Sequence, residues 1–233
     1  MIEQSLVDTP ARRPPDPVVE SNHRIANHLG LLVAILHGEI ASMREGPEVV
    51  FREEAVSVLQ AAIGKVMAIS RLHHLFTAHP SQAVLDLGDV MRDILEAFEA
   101  SVFSDRLHTH TTFGTGCQIR SSHVSAIALS FAEIATNAMK YAHPSGLPVE
   151  LSIVTRSMPG GGAVLEIGDD GVGLPEGFEE SRDAGVGLKL VRSLVESAGG
   201  RLKIKSNALG LTFTIQFPPM IGLVDRMQTS CGG

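Results

Sequence analysis

Apolar residues recur through the first third of the chain at gaps of three and four. Ile25, Leu29, Leu32, Leu36, Ile40 and Met43 form one stripe, and Leu59, Ile63, Val66, Ile69, Leu72 and Phe76 form a second. That period belongs to amphipathic helices with one packing face each. The first helix is expected to begin near Pro17 to Glu20, since proline is tolerated in a first turn, and to run to about Met43 before the break "REGP". The second stops near "HPS" at 79–81. Residues 18–80 therefore read as an antiparallel helical hairpin. A hairpin alone cannot cover both stripes, so pairing with a second copy in a dimeric four-helix bundle is expected.

From about residue 84 the period changes along the chain. "LHTHTTF", "PVELSIVT", "AVLEIGD", "RLKIKS" and "LTFTIQF" alternate and are rich in β-branched residues, as strands are. Between them, "LDLGDVMRDILEAFEAS" reads as a helix with Val90, Ile94, Leu95 and Phe98 inward. "SHVSAIALSFAEIATNAMKYA" reads as another, capped by Ser121 or Ser122, and "GVGLKLVRSLVESAGG" as a third with a Gly-Gly stop. The fold class expected is α+β: the helical hairpin, then an α/β sandwich at 84–218 with helices on one face of a mixed sheet. Residues 1–17, with four prolines, read as a flexible lead-in, and 219–233 as a C-terminal tail.

Composition narrows the function. A net charge of −7 and the lack of a Lys/Arg run give no footprint for nucleic acid. The longest apolar run, "LGLLVAIL", falls well short of the roughly 20 residues that span a membrane, and the N-terminus lacks a signal-peptide core, so a cytoplasmic location is expected. Cys117 and Cys231 are far apart without metal-ligand spacing and read as reduced structural thiols.

Three short segments carry candidate chemistry. On the helix after Ser121, Glu133, Asn137 and Lys140 are spaced i, i+4, i+7 and share a stripe: an acid, an amide and an amine. Alone, such a row is as readily the solvated face of a surface helix. "DDGVG" at 169–173 ends a strand, where a carboxylate can accept a hydrogen bond from an exocyclic amine such as that of adenine, although Asp-Gly turns are common. "AGVGLKLV" at 184–191 puts glycines before a helix, offering backbone N–H groups and a positive dipole end to phosphate. His23 adds a fourth element. It lies off the first stripe, together with Asn27 and Gly30 on the opposite side of the helix.

In order and spacing, the E-x-x-x-N-x-x-K-Y helix, the D-x-G-x-G strand end and the G-x-G-L helix start resemble the GHKL (Bergerat-like) ATP-binding domain shared by histidine kinases, gyrase and MutL. "HRIANHL" at 23–29 resembles the phosphoacceptor box of sensor histidine kinases of the HisKA_2 type. The resemblance implies ATP and Mg²⁺ as cofactors, autophosphorylation on His23 and transfer to an aspartate of a response-regulator receiver domain. It implies that Asn137 is the Mg²⁺ ligand and that Glu133 orients or activates the reacting groups. Lys140 and Tyr141 would hold phosphates or ribose, and Asp169 would accept the adenine amine in a pocket shaped by Gly171 and Gly173. Gly185, Gly187 and Leu188 would border the phosphates beneath a lid at 174–184.

The sequence departs from the commoner pattern at Lys189, which stands at a glycine position, and at Arg24, which stands where many histidine kinases carry a glutamate base. Glu20 and Glu133 are the alternatives for that base, and Arg24 could attract an acidic partner. The input signal is expected from a separate sensor or upstream partner. The other histidines show no shared ligand spacing and read as structural or solvated. Two other functions fit parts of the pattern: a non-catalytic phosphotransfer scaffold, and a serine kinase of the anti-sigma type, which would not need the hairpin.

Overall fold

The computed structural model describes residues 84–99, 107–143 and 147–219, with isolated positions between 33 and 66. Alternation in the strands builds the sheet. In Val149–Ser157 (β4), Ala163–Asp169 (β5) and Gly210–Phe217 (β7), every second side chain turns to one buried face. Register aligns these residues into cross-sheet rows: Ile153 lies opposite Ile167, which lies opposite Phe213, and Thr155 lies opposite Leu165, which lies opposite Ile215. Arg201–Asn207 (β6) extends the rows with Leu202 beside Ile215 and Ile204 beside Phe213.

Leu107–Phe113 (β2) completes five strands in the order β2-β4-β5-β7-β6. The β2–β4 pair is parallel and the others are antiparallel, so the sheet is mixed. A separate two-stranded ribbon joins Val84–Asp86 (β1) to Gln118–Arg120 (β3).

Helices cover the apolar face. Leu87–Glu99 (α1) buries Val90, Met91, Ile94, Leu95 and Phe98, the inward set that periodicity predicts together with Met91. Val124–Tyr141 (α2) is buried along most of its length, and Phe131 meets Phe98 edge-on at 5.2 Å between ring centroids. Glu180–Asp183 (α3) is a single turn. Val186–Ser197 (α4) packs on α2 and buries Val191 and Val195. It ends where Gly199, at φ +72°, lets its own N–H reach Glu196 O and the Gly200 N–H reach Val195 O.

Two local expectations are corrected. Leu85 and Asp86, expected in the first turn of a helix, belong with Val84 to a strand, and the helix begins at Leu87, with Asp86 Oδ1 accepting the Gly88 N–H at 2.8 Å. Three residues are too few for alternation to announce a strand. Ser121 and Ser122 do not cap α2; with His123 they form a 3₁₀ turn that feeds it, and His123 occupies its N-cap without a side-chain bond.

Of the expected hairpin, the described positions from Val33 to Arg44 and from Arg52 to Val66 are helical. Leu36, Ile40 and Met43 of the first stripe, with Leu59 and Ile63 of the second, are exposed in the single chain, and Val66 is half-buried. His23, the remaining stripe residues and both termini lie outside the described residues. No helix among the described residues is long and apolar enough to cross a membrane.

Leu165 is fully buried at the centre of the sheet. Leu165→Ala is expected to cost about 2–5 kcal/mol through lost transfer energy and the cavity left behind. Lys203→Ala on the exposed β6 surface should stay within about 0.5 kcal/mol. Denaturant titration of both variants checks the contrast.

Candidate active site

α2 places the acid and the amide. Its apolar sides are taken up by the sheet and the neighbouring helices, and Glu133, although charged, is only 4% exposed. The row is therefore not a solvated helix face. Asn137 is half-buried one turn later, and Lys140 and Tyr141 follow at the exposed end of the helix.

α4 lies against this row through a glycine. A Cβ on Gly187 would sit 2.9 Å from Glu133 Oε2 and 3.4 Å from Asn137 Nδ2. A side chain there would push into the two polar groups, so glycine is what lets the backbone of α4 approach them. Gly185 is the N-cap, with extended backbone, open space around it and no side-chain cap on the helix. The first bond running down the helix from that cap is Lys189 N–H to Gly185 O at 3.2 Å. The N–H groups of Val186, Gly187 and Leu188 precede it and face outward from the positive end of the dipole. Leu188 is half-buried against the core, so its side chain packs while its N–H lies among these donors.

At the other end of the site β5 delivers Asp169. Its Oδ1 accepts the N–H of Gly171 at 3.0 Å and of Leu211 at 3.2 Å, which fixes the carboxylate and leaves Oδ2 for a further donor. Burial pushes this carboxyl above its ordinary range; the two N–H groups and His143 oppose the shift, and the neighbouring Asp170 adds to it. Gly171 packs against α2: a Cβ on it would lie 2.5 Å from the Cα of Ala142, whose carbonyl accepts the Val172 N–H at 3.0 Å. Gly173, at φ +72°, lies where a Cβ would meet Asn207 O at 2.4 Å, and the Leu174 N–H donates to Ser206 Oγ at 2.7 Å. The D-x-G-x-G turn is thus held between the end of α2 and the β6–β7 hairpin.

The segment from 174 onward carries the short α3. Glu180 pairs with Arg192 of α4, and Arg182 pairs with Asp183. That hydrogen bond, then the Glu179 N–H, holds the Asp183 carboxyl below its ordinary range.

The structure brings together Glu133, Asn137, Gly185 and Gly187 at one end and Asp169, Gly171 and Gly173 at the other, as spacing anticipates. Sequence reasoning missed Gly210, whose Cβ would fall 1.9 Å from Asp169 O; its turn position in "NALG" was the available signal. It also left His143 unassigned, yet His143 Nε2 lies 2.9 Å from Asp170 Oδ1. His123, stacked on Phe217 at 4.7 Å, and His110, paired with Glu150 at 2.7 Å, are structural or surface groups. No cluster of three or more potential metal-ligating His, Cys, Asp or Glu residues occurs among the described residues.

Residues 123–221 match HATPase_c, the histidine kinase-, DNA gyrase B- and HSP90-like ATPase family. Residues 20–102 match the histidine kinase family HisKA_2. The chain belongs to the histidine kinases of the HisKA_2 type. Among solved structures, the histidine kinase domain of the blue-light activated histidine kinase EL346 from Erythrobacter litoralis superposes with a TM-score of 0.61. The identity there is 20%, over 87% of this chain and 93% of that one. The curated blue-light-activated histidine kinase 2 of Erythrobacter litoralis is 22% identical over 86% of this chain and 56% of its own length. Sensor histidine kinase PdtaS of Mycobacterium tuberculosis is 25% identical over 76% and 34%. This histidine kinase chain thus spans about half, or less, of the curated relatives it matches. The helical stripes fall within the second of these matches and the glycine-framed site within the first.

Asp169 accepts a donor best as the carboxylate, since a proton on Oδ2 would occupy the oxygen left for it, and burial raises the pH at which it takes up a proton. Nucleotide affinity is expected to be complete at neutral pH and to fall on acidification before an ordinary aspartate near 3.8 would titrate. Asp169→Asn should bind weakly and show no such decline. Fluorescent-nucleotide titration across pH, with circular dichroism to monitor folding, reads both effects.

Proposed function

We propose that the chain is an ATP-dependent protein-histidine kinase that phosphorylates itself on His23 and hands the phosphoryl group to an aspartate of a response-regulator receiver domain. One observation carries this reading. The glycine at the start of α4 seats its backbone on Glu133 and Asn137 of α2, while a carboxylate held by two N–H groups opens the turn that packs on the end of that same helix. Such a site offers a purine-amine acceptor and a phosphate cradle in one groove.

In this reading Asp169 Oδ2 accepts the adenine amine, Gly171 and Gly173 keep side chains out of the purine's way, and the N–H groups at 186–188 receive phosphate oxygens. Lys140 adds positive charge beside them, and Tyr141 stands at the ribose end. The carbonyl oxygen of Asn137 is a hard donor suited to Mg²⁺, and the buried Glu133 carboxylate supplies negative charge one turn away, so the residues fit that ion. Bound there, Mg²⁺ would offset charge on the phosphate oxygens.

His23 attacks as the neutral imidazole, which an unperturbed pKa near 6.5 keeps available at neutral pH. A P–N bond forms, the bond from the γ-phosphorus to the bridging oxygen breaks, and ADP leaves with the electron pair. The imidazole proton passes to a carboxylate, for which Glu133 and Glu20 are the candidates.

The exposed Leu36, Ile40, Met43, Leu59 and Ile63 support a homodimer through residues 18–80, since apolar rows on two helices of one chain call for a covering partner. Residues 84–218 then act as the catalytic domain on that bundle. The receiver domain of the response regulator would dock near His23, with Arg24 facing its acidic site. A separate sensor would supply the input, and the chain would work in the cytoplasm.

Incubation with Mg²⁺ and γ-labelled ATP tests the reading. Wild type should take up acid-labile, base-stable label. His23→Ala should bind ATP but take up none, and Asn137→Ala should lose label by at least about a hundredfold. Acid-stable label, or undiminished label on His23→Ala, would contradict the assignment.

A further inference from the structure

A nucleotide in this site spans two elements. Its base meets β5 through Asp169, and its phosphates meet α2 and α4 around Glu133, Asn137 and Gly187. Affinity for the whole nucleotide therefore depends on how firmly the end of α2 is fixed relative to the end of β5. Two fastenings connect them. One is backbone: the Val172 N–H donates to Ala142 O at 3.0 Å, and Gly171 lies against Ala142. The other is made by side chains. His143, just beyond α2, places Nε2 2.9 Å from Asp170 Oδ1, and the same oxygen accepts the Glu150 N–H at 3.0 Å from the start of β4.

Asp170 follows Asp169 directly, just past the end of β5, and its Oδ1 is engaged by His143 and by the Glu150 N–H. Its carboxylate serves α2, β4 and β5 at once. The His143 side chain is only 18% exposed, which limits competition from water for this bond. Although partial burial works against it, the Glu150 N–H and the His143 ring hold the Asp170 carboxyl below its ordinary range, so it is a charged acceptor at neutral pH.

We propose that His143 and Asp170 are positioning residues that set the phosphate half of the site against its base half. This rests on the reading of Asp169 as the adenine acceptor. Neither residue touches the nucleotide. Removing the bond loosens the spacing between the halves and leaves each half intact.

The test is equilibrium binding of ADP and of adenosine, with Mg²⁺, to the full chain. His143→Ala and Asp170→Ala should each weaken ADP by about tenfold, and the double variant should be no worse than either single within about twofold, because one bond is lost in all three. Adenosine, which reads the base half alone, should change by less than about twofold in each. Asp170→Asn keeps an oxygen that accepts both donors and should hold ADP within about threefold. His143→Gln against His143→Phe repeats the comparison with packing retained, the first keeping an N–H donor and the second losing it.

Unchanged ADP affinity in the alanine variants, equal losses of ADP and adenosine, or equal losses for glutamine and phenylalanine would each overturn the positioning role. Wild type that binds neither ligand would instead overturn the adenine reading, and the inference with it.

Discussion

A helix packed on most sides has one row left for polar chemistry, and α2 is such a helix. The five-stranded sheet, α1 and α4 take up Ile127, Phe131, Ile134, Ala135 and Ala138, all of them buried. The residues that remain at i, i+4 and i+7 are Glu133, Asn137 and Lys140. Their chemistry is thus set by the packing of their neighbours. Glu133 in particular places a carboxyl group in a buried position, a costly arrangement unless polar partners stand close. Gly187 makes the close approach of α4 possible, because any larger residue would displace the carboxylate or the amide.

The opposite end of the cleft follows a different physical rule. Asp169 is held immobile by two backbone N–H groups on one of its oxygens. The cost is burial, which lifts its proton affinity; the two N–H groups recover part of that cost. Gly210 belongs to the same arrangement. At φ +134° it lets β7 start against the Asp169 carbonyl, and that start is what brings the Leu211 N–H into reach. The pocket end is therefore built by residues 42 positions apart in the chain as much as by the motif itself.

Much of this was legible in the sequence, for physical reasons that differ by element. β2, β4, β5 and β7 were announced because one face of the sheet is buried and the other wet, which writes a period of two into the chain. α1 was legible from its inward Val90, Ile94, Leu95 and Phe98. The site motifs were legible because they combine unusual residue types at fixed spacing. What escaped were features without a period. β1 and β3 have three residues each, and the serines before α2 form a 3₁₀ turn because the chain has to bring His123 onto Phe217. Gly210 and His143 act through long-range contacts that no local pattern encodes.

The 169–173 turn and the 174–185 segment that follows it differ in how firmly they are held. The 169–173 turn is gripped by Ala142, Leu211 and Asn207 at close range, with two glycines that admit no side chain. The 174–185 segment has a helix of a single turn, too short to be stable by itself. Its ties are ion pairs at the surface, Glu180 with Arg192 and Arg182 with Asp183, in which at least a third of most of the paired side chains is open to solvent. Solvent and salt screen such pairs, so they add little to the hold on this segment. Local opening accordingly costs far less at 174–185 than at 169–173. The energetic asymmetry between these adjoining segments lets the second open while the first keeps its position.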